Sequence, residues 1–234
     1  MLPRSHRPEY TTTLPSTGKK IKYQPFSVKE EKILILAAET EKPDEITNAV
    51  CNVLENCISY PSDIKVEELA LFDLEYLFLK ARSKSVGEKI EVSVTDPDDP
   101  TFQTTHEINI DKIGVVTVDG HTDLIEIDDT IKVKMKYPGI EFFNDGIKMD
   151  TIPKSVDAVS KCISQIINGE DVYNRSDMTD EEIREWIESL TKAQFSKIIE
   201  FFITMPRLKH EFKLKNTNTK KDFTITLEGL ADFF

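Results

Sequence analysis

The fold is decided by residues 66–96, which read VEELALFDLEYLFLKARSKSVGEKIEVSVTD. As far as Lys84, apolar side chains cover most of a helix circumference, which predicts a helix that is buried on several sides or faces a partner. After Gly87 apolar and polar residues alternate, as in Ile90 and Val92 around Glu91, which predicts a strand with one solvent-exposed face. This change of period within one stretch predicts an α+β fold.

Before this stretch, the sequence predicts an extended arm and two further helices. Prolines are frequent in residues 1–26, and the order YTTTL, PSTGKK, IKYQPF is typical of a short hairpin. Packing of this arm on its own domain is favoured over contact with a partner. Ser27 and Glu30 form a capping-box pattern at the start of a helix, and Asp44 is expected to cap the next one. Together with the helix of residues 66–84, these predict a compact helical unit.

After this stretch, the sequence predicts an antiparallel β-meander, then helices and a final hairpin. Alternating runs continue to Tyr137, and Asp119-Gly120 is a hairpin turn signal. A helix is expected over 154–168, two more helices follow, and KHEFKLK and DFTITL form the last hairpin. The predicted parts are an extended arm at 1–26, a helical unit plus antiparallel β-meander at 27–138, and a helical segment with a C-terminal β-hairpin at 139–234.

Charge and composition favour a protein that binds neither nucleic acid nor membranes. The formal net charge is −12 over 234 residues, which opposes attraction to phosphates and anionic lipids. No apolar run reaches the roughly 18 residues of a membrane span, and the N-terminal residues lack the apolar core of a signal peptide. The three cysteines Cys51, Cys57 and Cys162 are typical of buried thiols in a reducing compartment.

An acidic loop raises the question of a metal site. The run VTDPDDPTFQTTHE at 94–107 contains no glycine of the kind that an EF-hand loop requires, and aspartate and proline are favoured turn residues. A plain hairpin turn is therefore favoured over a weak cation site. The hypothesis from another functional class is a metal-dependent hydrolase that uses Asp96, Asp98 and Asp99 with His106.

Known catalytic patterns do not occur in the chain. The sequence contains no P-loop, no Gly-x-Ser-x-Gly and no dinucleotide-binding glycine pattern. His106 and His121 could be zinc ligands with Asp123, but these residues do not have a spacing that is diagnostic of a zinc site. We therefore predict no catalytic residue, no metal site, no cofactor and a protein that is not an enzyme.

Apolar side chains are in surplus at a few places. LALFDLEYLFLK and FSKIIEFFITM are apolar nearly all round, and the sequence ends in ADFF. An internal core is the favoured explanation for each, with a contact surface for a partner as the alternative. The candidate partner-binding residues are Tyr23, Phe26, Tyr76, Leu77, Phe78, Phe201, Phe202, Phe233 and Phe234.

Several motifs resemble those of the baseplate hub assembly proteins of T-even-like contractile-tailed bacteriophages. They are LPSTGKKIKYQPFSVKEEKILILAAE at 14–39, LFDLEYLFLKARSKSVGEKIEV at 71–92, MKYP at 135–138 and the Leu-x-x-Phe-Phe ending. The resemblance implies a hub component, or an assembly factor that is absent from finished particles, acting through protein-protein contacts. A chaperone for the tape-measure protein is the alternative.

The same resemblance implies where the protein acts and with what. Its expected partners are other phage baseplate hub proteins or the tape-measure protein. Its expected location is the host cell cytoplasm during tail assembly, with the virion baseplate as a second location. The family offers no catalytic or metal-binding residues to carry over to this sequence.

Overall fold

A computed structural model describes residues 6–61, 63–143 and 147–230, which form six α-helices and twelve β-strands with antiparallel pairing. The elements in chain order are β1 (Tyr10–Thr13), β2 (Lys20–Tyr23), α1 (Val28–Glu39), α2 (Pro43–Cys57), β3 (Ile58–Tyr60), α3 (Leu71–Ser85), β4 (Lys89–Asp96), β5 (Asp99–Asn109), β6 (Gly114–Val116), β7 (Leu124–Glu126), β8 (Ile131–Met135), α4 (Ile152–Cys162), β9 (Ile163–Asn168), β10 (Asp171–Asn174), α5 (Asp180–Ser189), α6 (Lys192–Thr204), β11 (Arg207–Lys215) and β12 (Asp222–Glu228). The predicted α+β class is confirmed.

The described residues fall into two compact units. Unit 1 contains the described residues up to Val116 and those from Arg207 onward, and unit 2 is the contiguous segment Thr117–Pro206. The predicted boundary between 138 and 139 lies within unit 2. Strand β8 lies before that boundary and pairs with β9 beyond it, while β6 pairs with β11 near the other end of the chain.

The helices of unit 1 begin where local capping chemistry places them. Ser27 and Glu30 form the predicted capping box at α1, where the Ser27 N–H donates to Glu30 Oε2 at 2.8 Å. Helix α2 begins one residue before the predicted cap, because Pro43 at its first position has its φ already fixed for a helix. Lys42 is therefore the cap residue in place of Asp44.

Helix α3 is buried on several sides, as its sequence predicts. It begins later than expected, since Val66–Glu68 form a separate short 3-10 helix. Its buried apolar side chains are Phe72, Leu74, Leu77, Phe78, Leu79 and Ala81. The arm forms the predicted hairpin of β1 and β2, and β3 adds to it in a three-stranded sheet.

The predicted meander is distributed over three sheets. Strands β4 and β5 form a hairpin, β6 joins β11 and β12, and β7 belongs to unit 2. The Asp119-Gly120 turn is present, with Gly120 at φ 82°, but the strands on its two sides do not pair with each other. One core cluster of unit 1 joins β4 and β11 to α3 through residues that include Leu79, Val92, Ile110 and Leu208.

Unit 2 contains a four-stranded sheet in the order β10-β9-β8-β7. The predicted helix over 154–168 ends at Cys162, and residues 163–168 form β9 instead. Three of those six residues are isoleucine, whose branched side chains favour a strand once β8 and β10 provide pairing on both sides. The capping box of Thr179 and Glu182 opens α5 as predicted.

Candidate functional site

Most of the candidate partner-binding residues of unit 1 lie inside its core. Tyr23, Phe26, Leu77 and Phe78 are each at most 7% exposed. Burial raises the pKa of Tyr23 to about 12, mainly by desolvation. These side chains pack within this chain, and any contact with a partner stays a prediction.

Tyr76 is partly buried and links α3 to the arm. Its hydroxyl hydrogen-bonds to Thr12 Oγ1 at 3.0 Å, and the Lys80 ammonium lies 5.2 Å from its ring centroid. The turn of the arm is held in the same way, because Asp73 of α3 accepts hydrogen bonds from both the N–H and the hydroxyl of Ser16. Asp73 is fully buried, and desolvation raises its pKa although both Ser16 bonds oppose the shift. The arm therefore packs on its own unit.

In unit 2, Phe201 lies at the centre of an aromatic cluster. Its ring centroid is 5.5 Å from that of Tyr137, 5.2 Å from that of His121 and 5.2 Å from that of Phe202. Phe201 and Phe202 are 1% and 2% exposed. The cluster packs α6 against the turn that carries His121 and against the segment after β8, which carries Tyr137.

His121 makes polar contacts within this cluster at both ring nitrogens. Nδ1 hydrogen-bonds with Thr204 Oγ1 at 2.9 Å and Nε2 with the Tyr137 hydroxyl at 3.1 Å. Desolvation lowers its pKa, and the nearby Asp123 carboxylate opposes the shift. Both nitrogens that could bind zinc are therefore engaged in hydrogen bonds within unit 2.

Phe233 and Phe234 lie outside the described residues, which end at Leu230. The N–H of Leu230 donates to Glu75 Oε1 of α3 at 3.0 Å. Gly229 has φ 74°, and a Cβ at this position would lie 3.1 Å from the same oxygen, so the close approach favours glycine. This carboxylate fixes the last described residues of unit 1 to α3.

The half-buried Glu75 carboxylate should make the stability of unit 1 depend on pH. Desolvation, with a smaller contribution from Glu228, raises its pKa from 4.5 to about 7, although the Leu230 N–H lowers it. The folded state binds more protons than the unfolded state between these values, so this contribution to stability falls as pH rises through that window. Glu75→Gln should therefore raise the free energy of unfolding at pH 8 by about 2–3 kcal/mol.

Urea unfolding at pH 4 and pH 8 checks this expectation. The two proteins should differ little at pH 4, where Glu75 is protonated in both the folded and the unfolded state. Glu91→Gln is the matched control, because Glu91 is exposed on β4. This substitution should leave the free energy of unfolding unchanged at both pH values. An equal effect of Glu75→Gln at both pH values would contradict the proposed titration.

The acidic loop, defined here as Asp96–Asp99, is a hairpin turn with hydrogen-bond partners inside unit 1. Asp96 is 3% exposed, and its Oδ1 accepts the N–H of Asp98 at 2.9 Å. The fully buried Asn216, in the turn between β11 and β12, donates its amide to Asp96 Oδ2 at 2.7 Å and to Asp99 Oδ2 at 3.1 Å. The loop therefore fastens one hairpin to another.

Donors within the chain bond to both carboxylate oxygens of Asp96 and of Asp99. The Thr101 hydroxyl, the strongest influence on the pKa of Asp99, lowers it, and the Asn216 amide adds to that effect. His106 stacks on Phe212 with ring centroids 4.6 Å apart. Among the residues that the structure describes, no three His, Cys, Asp or Glu side chains are grouped so that they could hold a metal ion.

Loss of the Asn216 side chain should destabilise unit 1. Besides its two carboxylate contacts, Asn216 Oδ1 accepts the N–H groups of Asn218 at 2.8 Å and Thr219 at 3.1 Å. Asn216→Ala leaves Asp96 buried with one partner fewer, so the free energy of unfolding should fall by about 2–3 kcal/mol. Thermal unfolding measures the change. The exposed neighbour Thr217, replaced by alanine, should cost less than about 0.5 kcal/mol. Equal costs would mean that the amide is dispensable.

One comparison with known proteins decides the family of the chain. The family model described as T4 bacteriophage base plate protein matches residues 7–234. The chain belongs to this family. Comparisons with curated proteins and with solved structures find no significant match.

The T4 base plate family motifs that carried the sequence resemblance act in the fold. The Leu-Pro-Ser-Thr-Gly turn of the arm is held by Asp73, and Ser27 with Glu30 caps α1. The Ser85 hydroxyl, in the Arg-Ser-Lys-Ser stretch, accepts the N–H of Phe26 at 2.8 Å. These residues join the arm, α1 and α3 into one unit.

This T4 base plate family member also exposes apolar side chains that the sequence analysis did not single out. On α1, Val28 is 80%, Ile35 53% and Leu36 50% exposed. Ala37 on the same helix is buried. The available signal was the run Ile33-Leu34-Ile35-Leu36, because four consecutive apolar residues cannot all lie on one face of a helix. Within the described ranges, no helix combines the length and apolar character needed to cross a bilayer.

Proposed function

We propose that this T4 base plate family protein is a component of the baseplate hub or a factor that assembles it, acting through protein-protein contacts. The observation that carries the proposal is the family match over residues 7–234. The structure adds support in two ways. The carboxylates of Asp96 and Glu75 accept hydrogen bonds from within the chain, while apolar side chains on α1 face solvent. The protein acts in the host cell cytoplasm during tail assembly. In its form as a hub component, it then stays in the virion.

Co-elution tests the contact role. The purified chain is mixed in turn with each hub protein and with the tape-measure protein of the same phage, and complexes are separated by size-exclusion chromatography. The proposal expects a complex with at least one hub protein. Crosslinks to the tape-measure protein alone would favour the chaperone alternative. No complex at all, together with normal tails after gene deletion, would overturn the proposal.

Mass spectrometry separates the two forms of the proposal. A hub component is present in purified tails at a fixed ratio to the other hub proteins. An assembly factor is found in complexes from infected cells and is absent from purified tails. The two samples are compared from one infection, so that expression level cannot explain a difference.

The candidate contact residues that remain for direct test are Tyr76 and the terminal Phe233 and Phe234. Tyr76 is partly exposed, whereas the other candidates in the described ranges are buried and would act by maintaining the fold. Deletion of the two terminal phenylalanines should weaken the complex with unchanged circular dichroism.

Deletion of the charged pair Lys220-Lys221 in an exposed turn is not a suitable control, because the Lys221 carbonyl closes that turn by accepting the Asn216 N–H at 2.9 Å. The exposed Thr217→Ala variant serves instead.

A further inference from the structure

The edge strand β10 is unusually open. It is the last strand in the order β10-β9-β8-β7, and all four of its residues are exposed. No other strand in the described ranges pairs with its outer edge. Its pairing with β9 is regular, and it contains no lysine, proline or bulge of the kind that usually protects an edge.

The hydrogen-bond pattern of the sheet fixes which groups of β10 point outward. Gly169 donates its N–H to the Thr130 carbonyl of the β8 side at 3.0 Å. In antiparallel sheets this direction alternates along a strand, so Asn168 and Ile166 of β9 bond toward β10. Their partners in register are Asp171 and Tyr173. It follows that the N–H and C=O groups of Val172 and the N–H group of Asn174 face away from the sheet. The Asn174 carbonyl is not available in the same way, because Asn174 is the N-cap of the short 3-10 helix Arg175–Asp177 and its carbonyl accepts the first hydrogen bond of that helix.

The side chains of β10 offer apolar contact on both faces of the sheet. Val172 is 50% and Tyr173 48% exposed, and successive residues of a strand point to opposite faces. An added strand would therefore gain backbone hydrogen bonds from Val172 and Asn174 and apolar contacts above and below. Such addition to a sheet edge is a common mode of peptide recognition.

Local charge selects the kind of strand that fits. Residues 170–182 contain six carboxylates and one guanidinium, and that guanidinium, on Arg175, already bonds to Asp180 and to the Met178 carbonyl. A second copy of a chain with net charge −12 would bring like charges together. A strand with lysine or arginine at alternate positions would pair with the carboxylates.

We propose that β10 is an addition site for an extended basic segment of another polypeptide, which becomes a fifth strand of this sheet. The identification of that polypeptide as a phage tail protein rests on the proposed function. The pairing itself does not, so it is tested with a synthetic probe and without phage components.

The probe is the blocked, fluorescein-labelled peptide Lys-Val-Lys-Val-Lys-Val-Lys, and binding to the full chain is followed by fluorescence anisotropy. Val172→Pro removes an outward N–H and leaves the ladder to β9 intact, because proline is tolerated on a strand edge that faces solvent. We expect at least a tenfold loss of affinity. Val172→Thr keeps the N–H and should bind within about threefold of the original chain, since threonine also suits a strand.

Two further measurements keep the test decisive if the proline variant folds poorly. A peptide N-methylated at the three valines and at the two internal lysines has its donors blocked along both edges of the strand and should lose at least tenfold in affinity. Hydrogen-deuterium exchange with the original peptide should slow at Val172 and Asn174. Absence of peptide binding, equal binding of the methylated peptide, protection elsewhere only, or dimerisation of the chain through β10 would each overturn the proposal.

Discussion

Replacement of Leu77 by aspartate is expected to unfold unit 1. Leu77 is 1% exposed on α3, next to the fully buried Phe78. Loss of a buried leucine costs about 2–5 kcal/mol, and a carboxylate without a partner in the same space adds several more. The free energy of unfolding should fall by more than about 5 kcal/mol, which is comparable with the whole stability of many domains. Circular dichroism and urea unfolding measure the loss.

The same substitution on α1 provides the control. Leu36 is 50% exposed, so Leu36→Asp should leave the circular dichroism spectrum unchanged and cost less than about 1 kcal/mol. A Leu77→Asp protein that keeps its fold but loses its partner would show that this face of α3 is a contact surface. A protein that keeps both would contradict the core assignment.

Replacement of Phe201 by alanine should have the second largest effect. The ring is buried between Tyr137, His121 and Phe202, and its removal leaves a cavity at the centre of the aromatic cluster. Loss of a buried phenylalanine costs about 3–5 kcal/mol. We expect unit 2 to unfold at a lower urea concentration and to lose near-ultraviolet circular dichroism, which reports the packing of aromatic rings.

Ile203→Ala on the same helix is the matched control for Phe201→Ala. Ile203 is 59% exposed, so its replacement should cost less than about 1 kcal/mol. If both variants are equally stable, the aromatic cluster does not hold α6. If Ile203→Ala alone weakens the complexes described above, the contact surface lies on the exposed face of α6.

The sequence predicted the local features of the fold well. Capping chemistry at Ser27 and Thr179 involves residues three positions apart, so the pattern and the structure agree at both helix starts. The helical and alternating periods on the two sides of Gly87 also gave α3 and β4. These signals depend on neighbours along the chain and need no knowledge of the rest of the molecule.

Features that depend on distant segments escaped prediction. Residues 163–168 continue a helical pattern, yet pairing with β8 and β10 makes them a strand. No local signal shows that the Asn216 amide donates a hydrogen bond to Asp96, or that β6 pairs with β11. For the candidate contacts, apolar composition could not separate core from surface, because a helix that is apolar all round leaves the buried face undetermined.

The pairing of Val116 with Arg207 has a consequence for how the polypeptide is made. The chain leaves one sheet at Val116 and returns to the adjacent position of that sheet at Arg207, so the ninety residues between them form an insertion with neighbouring ends. During translation this insertion is complete before the ribosome supplies the last strands that the surrounding sheet requires. Unit 2 can therefore fold first. Replacement of residues 117–206 by a short turn should leave unit 1 as a continuous domain that folds by itself.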